Sequence, residues 1–128
     1  MFSFLLNVYR FIKILIKGLK EDTEFRALLI FITILLIGAN VFYTQMEGWS
    51  IIDALYFSVM TMSTVGYGDL TPTTDISKLF TVIFTFLSIG AFVAFTAKFL
   101  NIIFEHNKRK AEKIKQKINN RKQKRQAT

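Results

Sequence analysis

Six residues, Thr64-Val65-Gly66-Tyr67-Gly68-Asp69, lie between two long apolar stretches and constrain this chain more than any other feature. The run holds two glycines and a charge, and it leaves no room for a helix. Hydrocarbon does not tolerate irregular backbone facing lipid, because unpaired N–H and C=O groups are costly there. Such backbone survives only where protein shields it or where it lines a water-filled path. Whether such a loop is viable therefore depends on whether the flanking stretches cross a membrane.

They are long enough to do so. Ala27 to Tyr43 carries no charge, nor does Leu79 to Ala97, and the apolar pattern resumes after Lys98 through Phe104. A crossing takes about 20 residues. Buried helices of a soluble protein are the bland alternative. A 128-residue chain that is 52% apolar, with 14 Phe, has too small a core to cover both stretches in water. The length suits one domain. Cys is absent, which excludes disulfide and thiolate chemistry.

Lys and Arg set the orientation. The N-terminal arm carries Arg10, Lys13, Lys17, Lys20 and Arg26, and the C-terminal segment carries Lys98 and ten more from Lys108 to Arg125. Thr44 to Ser77 has neither residue and holds Glu47, Asp53, Asp69 and Asp75 instead. The positive-inside rule places both ends in the cytoplasm and the middle loop outside, with Lys78 a mild exception.

Residues 1–20 read as a basic amphipathic helix lying in the inner membrane interface. Phe4, Val8, Phe11, Leu15 and Leu19 recur at helical spacing, with the cations mostly off that stripe. A plain basic flank is the alternative; a signal peptide is disfavoured because the charges follow the apolar start. Glu21 to Glu24 breaks the pattern. Residues 25–104 then form one unit: an outer helix over 25–45, a short helix over 51–62, the loop at 64–69 and an inner helix over 77–104. Ser50 with Asp53 three positions on is a capping-box-like start. Twelve residues span about 18 Å, too short to cross and suited to a re-entrant segment. Residues 105–128 form a basic tail in which Ala111, Ile114 and Ile118 make a stripe too short for a coiled-coil assignment. Binding of anionic lipid and a merely solvated tail both fit. Nucleic acid does not, since no recognition fold accompanies the charge.

The loop suits cation handling. An ion leaving water needs oxygens in place of its hydration shell, and backbone carbonyls can supply them if successive ones face the same way. Regular strands alternate, so special backbone is needed, and Gly66 and Gly68 permit positive φ at alternate positions. One strand gives too few oxygens at each level, which calls for a closed cyclic homo-oligomer. The preceding helix would turn the negative end of its dipole, near Met62 and Ser63, toward the ion. Val65 and Tyr67 side chains are expected to face away from the axis, braced by Tyr56 and Phe57. Gly90, Ala91, Ala94 and Ala97 allow close helix approach, and Lys98 most simply snorkels to the inner interface. A nucleotide loop would need a further Gly and a Lys. A nucleophile among Thr61, Ser63 and Thr64 would need a base, and the one His, His106, lies in the tail. No enzyme is expected.

Thr64 to Asp69, preceded by a short amphipathic helix and flanked by two crossings, resembles the filter of the two-transmembrane prokaryotic members of the tetrameric potassium-channel family. The likeness covers about residues 25–104. The order of features, including Glu47-Gly48, Ile52 to Val59, Pro72 and Thr74-Asp75, is similar to that of the bacterial NaK-type channels, but Tyr67 and Asp69 follow the potassium-selective pattern. The resemblance implies an all-α membrane protein with two transmembrane helices, a re-entrant pore helix and a filter loop, assembled as a homotetramer in the plasma membrane, here that of a bacterium. It implies a potassium-selective channel that holds K+ on the carbonyls of Thr64, Val65, Gly66 and Tyr67 and on the Thr64 hydroxyl, with no organic cofactor. Gly68, Asp69, Tyr56, Phe57 and Met60 would support the filter. Met60 stands where some relatives carry a carboxylate partner for the residue matching Asp69, which leaves Asp69 without one. Ser88 stands at the usual hinge glycine, with Gly90 close by to take over bending. Ile89, Phe92, Val93, Thr96 and Leu100 would line the cavity and gate. A weakly selective cation channel and a non-conducting accessory membrane subunit are the alternatives.

Overall fold

Four helices account for nearly the whole chain. The computed structural model describes residues 1–128, in the order α1 (Phe2–Glu21), α2 (Thr23–Met46), α3 (Ile51–Met62) and α4 (Asp75–Gln126). Two of them, α2 and α4, are long and apolar enough to cross a membrane. Only 17% of the most apolar window of each is buried within the chain, the reverse of a soluble core helix. With no strand present, backbone polar groups in the spans pair inside their own helices, as a hydrocarbon surround demands.

Local chemistry sets the boundaries. The break inside the acidic run Glu21–Glu24 falls on Asp22, which is extended (φ −115°, ψ 112°). Its carboxylate accepts from the amides of Glu24 at 3.0 Å and Phe25 at 3.2 Å, and so caps α2. Ser50 Oγ accepts from Asp53 N at 3.0 Å to start α3. Thr74 Oγ1 accepts from Ser77 N at 3.2 Å to start α4. That last helix departs from the sequence reading: the inner helix and the basic tail form one unbroken rod from Asp75 to Gln126. After Gly90 the chain has no Gly or Pro to stop it, and Lys, Arg, Gln, Glu and Ala all favour helix.

The core sits where α2, α3 and the outer half of α4 meet. Ile32, Ala39 and Tyr43 from α2 pack with Ala54 and Met62 from α3 and with Phe84 and Ala91 from α4. Tyr43 is its centre and is fully buried. Its ring stacks on Trp49 at 5.2 Å and meets Phe57 and Phe80 edge-on at 5.0 and 5.5 Å. Thr81 Oγ1 donates to Ser77 O, so the Tyr43 hydroxyl is the donor in their 2.6 Å hydrogen bond. Tyr43→Ala is expected to destabilise the chain by about 3 kcal/mol, read as a lowered thermal unfolding midpoint in detergent. Tyr43→Phe is expected to lose only about 1 kcal/mol, the hydrogen bond alone.

At the inner end, α1 lies against both long helices. Phe11 meets Phe99 at 4.9 Å between ring centres. Gly18 is buried, and a Cβ there would stand 2.9 Å from Ile102 Cδ1.

Candidate ion-conducting site

The loop after α3 alternates in handedness. Thr64, Gly66 and Gly68 have φ of +65°, +50° and +76°, while Val65 and Tyr67 lie outside the positive region. The alternation frees successive carbonyls from the opposed directions they take in a strand. Thr64 is the member that sequence reasoning missed. A β-branched residue at positive φ is a true outlier and persists only where its surroundings hold it. Those surroundings are the last turn of α3. The amides of Val65 and Gly66 both donate to Met60 O, at 3.0 and 3.1 Å, and Thr64 N donates to Thr61 O at 3.1 Å. Met60 thus supports the loop through its carbonyl.

Tyr56, Phe57, Met60 and Thr61 share a recess of about 140 Å³ with Gly66 to Thr71. Within it Tyr56 turns toward the outer part of the loop. Its phenol is pushed up by desolvation and by the nearby Asp69 carboxylate, which favours keeping the Tyr56 proton between them. Asp69 and Tyr56 line the same recess, a pairing not foreseen from the Met60 position. Phe57 instead meets Tyr43 and Trp49 in edge-to-face contacts at 5.0 and 5.1 Å. Val65 and Tyr67 remain 48% and 72% exposed in a single chain.

The return path from the loop is tied down by Glu47, just after α2. Its carboxylate accepts from Thr73 N at 3.0 Å, Thr73 Oγ1 at 2.8 Å and Thr74 N at 3.3 Å. Desolvation pushes its pKa up, but donors from Thr73, Ser77 and the Thr73 and Thr74 amides outweigh this and hold it at about 2, below the ordinary 4.5. A depressed folded pKa means that the clamp is fully present above the unfolded pKa and is lost as pH falls through the folded one. Thermal stability is expected to decline between pH 4.5 and about 2, and Glu47→Gln is expected to flatten that decline while lowering the midpoint at pH 7.

Residues 29–105 match the family described as Ion channel, more than half of the chain. This chain belongs to that ion channel family. Curated relatives include the two pore potassium channel a of Oryza sativa subsp. japonica, 38% identical over 73% of this chain. Potassium channel protein 1 of Methanocaldococcus jannaschii is 44% identical over 53% of it. The chain spans only 28% and 20% of the lengths of these two relatives. Among solved structures, a calcium-activated cation channel from Tsukamurella paurometabola superposes with a TM-score of 0.60 at 32% identity, covering 67% of this chain and 84% of that one. The chain is thus an all-helical membrane protein of a channel family and not an enzyme.

Below the loop, α4 presents a mixed face. Ser88 is fully buried within its own chain and turns its hydroxyl to Thr85 O at 3.3 Å, so it does not face open space. Phe92 is half-buried against the core cluster. Ile89 is half-buried, whereas Gly90, Val93, Thr96 and Leu100 are exposed. Ser88 and Gly90 both lie inside the continuous helix. Lys98 does not snorkel freely; its ammonium pairs with Glu24 and, at 3.5 Å, with Asp22. The ion pairs join the inner helix to the residue that caps the outer one.

Proposed function

We propose that four copies of this chain form a potassium-selective channel in the plasma membrane of a bacterium, with both termini cytoplasmic. The alternating positive φ at Thr64, Gly66 and Gly68 is the observation that carries the reading. K+ is held by the carbonyls of Thr64, Val65, Gly66 and Tyr67, with the Thr64 hydroxyl closing the innermost site. Gly68 continues the alternation, Tyr56 and Asp69 fix the outer end, and Met60 O and Phe57 anchor the loop to α3 and α2. Ile89, Val93, Thr96 and Leu100 line the cavity and the inner gate, and Gly90 leaves room beside them. Four-fold assembly is supported by the 72% of Tyr67 left exposed, which a neighbouring α3 covers. The potassium channels among its relatives favour the same ion. The interfacial position of α1 is supported by exposed Phe4, Val8 and Phe11 beside its cations, which suit anionic lipid headgroups.

Weak selectivity is the second reading, favoured by the likeness to a structure titled a cation channel. Purified protein in liposomes, driven by a potassium gradient, separates the two. Selective conduction gives potassium flux, block by a quaternary ammonium ion and a bi-ionic potassium–sodium reversal potential far from zero. A reversal potential near zero selects the second reading, and no flux of either ion overturns both.

A further inference from the structure

Beyond the gate, α4 carries a stripe that no element of the chain covers. Phe104, Ile114 and Ile118 are 67%, 59% and 48% exposed. With Asn107 and Ala111 between them, they recur at intervals of four and three residues, the heptad spacing of a coiled-coil seam. Extending the register places Arg121 and Arg125 on the same seam. From Asn107 onward the positions flanking it are all cationic: Lys108, Lys115 and Lys122 on one side, Lys110, Lys117 and Lys124 on the other. We propose that this stretch of α4 is a docking surface for an amphipathic helix of another protein whose apolar seam is flanked by Glu and Asp.

Charge decides the occupant. In a parallel bundle of identical tails these flanking positions face one another, so each contact sets Lys against Lys, and the last seam positions would bury Arg against Arg. An acidic helix reverses the sign of every such contact and gives Arg121 and Arg125 carboxylates to meet. A lipid surface fits the geometry poorly. Interfacial helices lie in the membrane plane, whereas α4 continues the spanning segment without a break to Gln126. From Phe104 it reaches about 33 Å along its axis. The inference does not depend on ion selectivity, only on the tail helix.

The test uses the full-length protein in nanodiscs and a labelled synthetic helix of about four heptads, with Leu on its seam and Glu at the flanking positions. Saturable, salt-sensitive binding is expected. It should weaken at least about tenfold when the six flanking lysines are changed to Gln, and equally in Ile114→Asn/Ile118→Asn, which keeps every charge. Bound peptide should also protect Lys113 to Lys122 from trypsin. Equal binding of a scrambled peptide of the same composition would reduce the surface to a polyanion attractor and overturn the proposal. So would protection by phosphatidylserine vesicles in place of the peptide, or cross-linking of the tails to one another without peptide binding. Unchanged cation flux in the variants reports that the membrane portion is intact.

Discussion

Gly66→Ala is expected to abolish conduction, reducing flux into liposomes about a thousandfold while leaving assembly unchanged on size-exclusion chromatography. Gly66 sits at φ +50°, and nothing lies within 4 Å of where a Cβ would stand. The penalty is therefore one of backbone conformation and not of collision. A left-handed residue with a Cβ costs about 1 kcal/mol or more. In the proposed assembly four chains contribute to one ring, so about 4 kcal/mol would oppose the conducting geometry, which corresponds to about a thousandfold. Gly38 is the control. It also has open space around it, but it lies inside α2 with ordinary φ. Gly38→Ala is expected to leave flux unchanged. Loss of flux in both variants, or in neither, would contradict the assignment of the loop.

The second large effect is expected at Tyr67. Its ring is 72% exposed in one chain, and covering such a ring by a neighbour contributes about 1.5–3 kcal/mol. In the proposed assembly that contribution would hold the outer part of the loop at one width. Tyr67→Asp removes the ring, places a second carboxylate near Asp69, and is expected to move the bi-ionic potassium–sodium reversal potential nearly to zero with flux retained. An undiminished preference for potassium in this variant would show that Tyr67 braces nothing. Tyr56→Phe is the milder companion: it removes the hydroxyl near Asp69 and is expected to alter the persistence of current more than its selectivity.

The all-helical fold is legible in the sequence because absence of charge over a membrane's width is hard to disguise. Ala27–Tyr43 and Leu79–Ala97 could be read without knowing any contact. Short polar signals were also readable, since Ser50 and Asp53 act within a single turn. What resisted reading depends on groups far apart in the chain. Lys98 looks like a free cation until folding brings Asp22 and Glu24 to it across 76 and 74 residues of chain. The continuous tail helix was hidden because cations occupy nearly every face, which blurs the periodicity on which a helix is recognised. Within the site, Gly66 and Gly68 announce their conformation by lacking a Cβ. Thr64 gives no such signal, since its positive φ is imposed by amides that bond back onto α3.

The bare aromatic ring at the outer mouth has a genetic corollary. In the proposed four-fold assembly, a subunit that leaves Tyr67 unclothed would finish its outer mouth only in company. Defects in the loop would then spread through mixed assemblies. In a cell making equal amounts of intact and Gly66-altered subunits, only about one ring in sixteen would be wholly intact if four copies join at random, and a single faulty allele would act as a dominant poison.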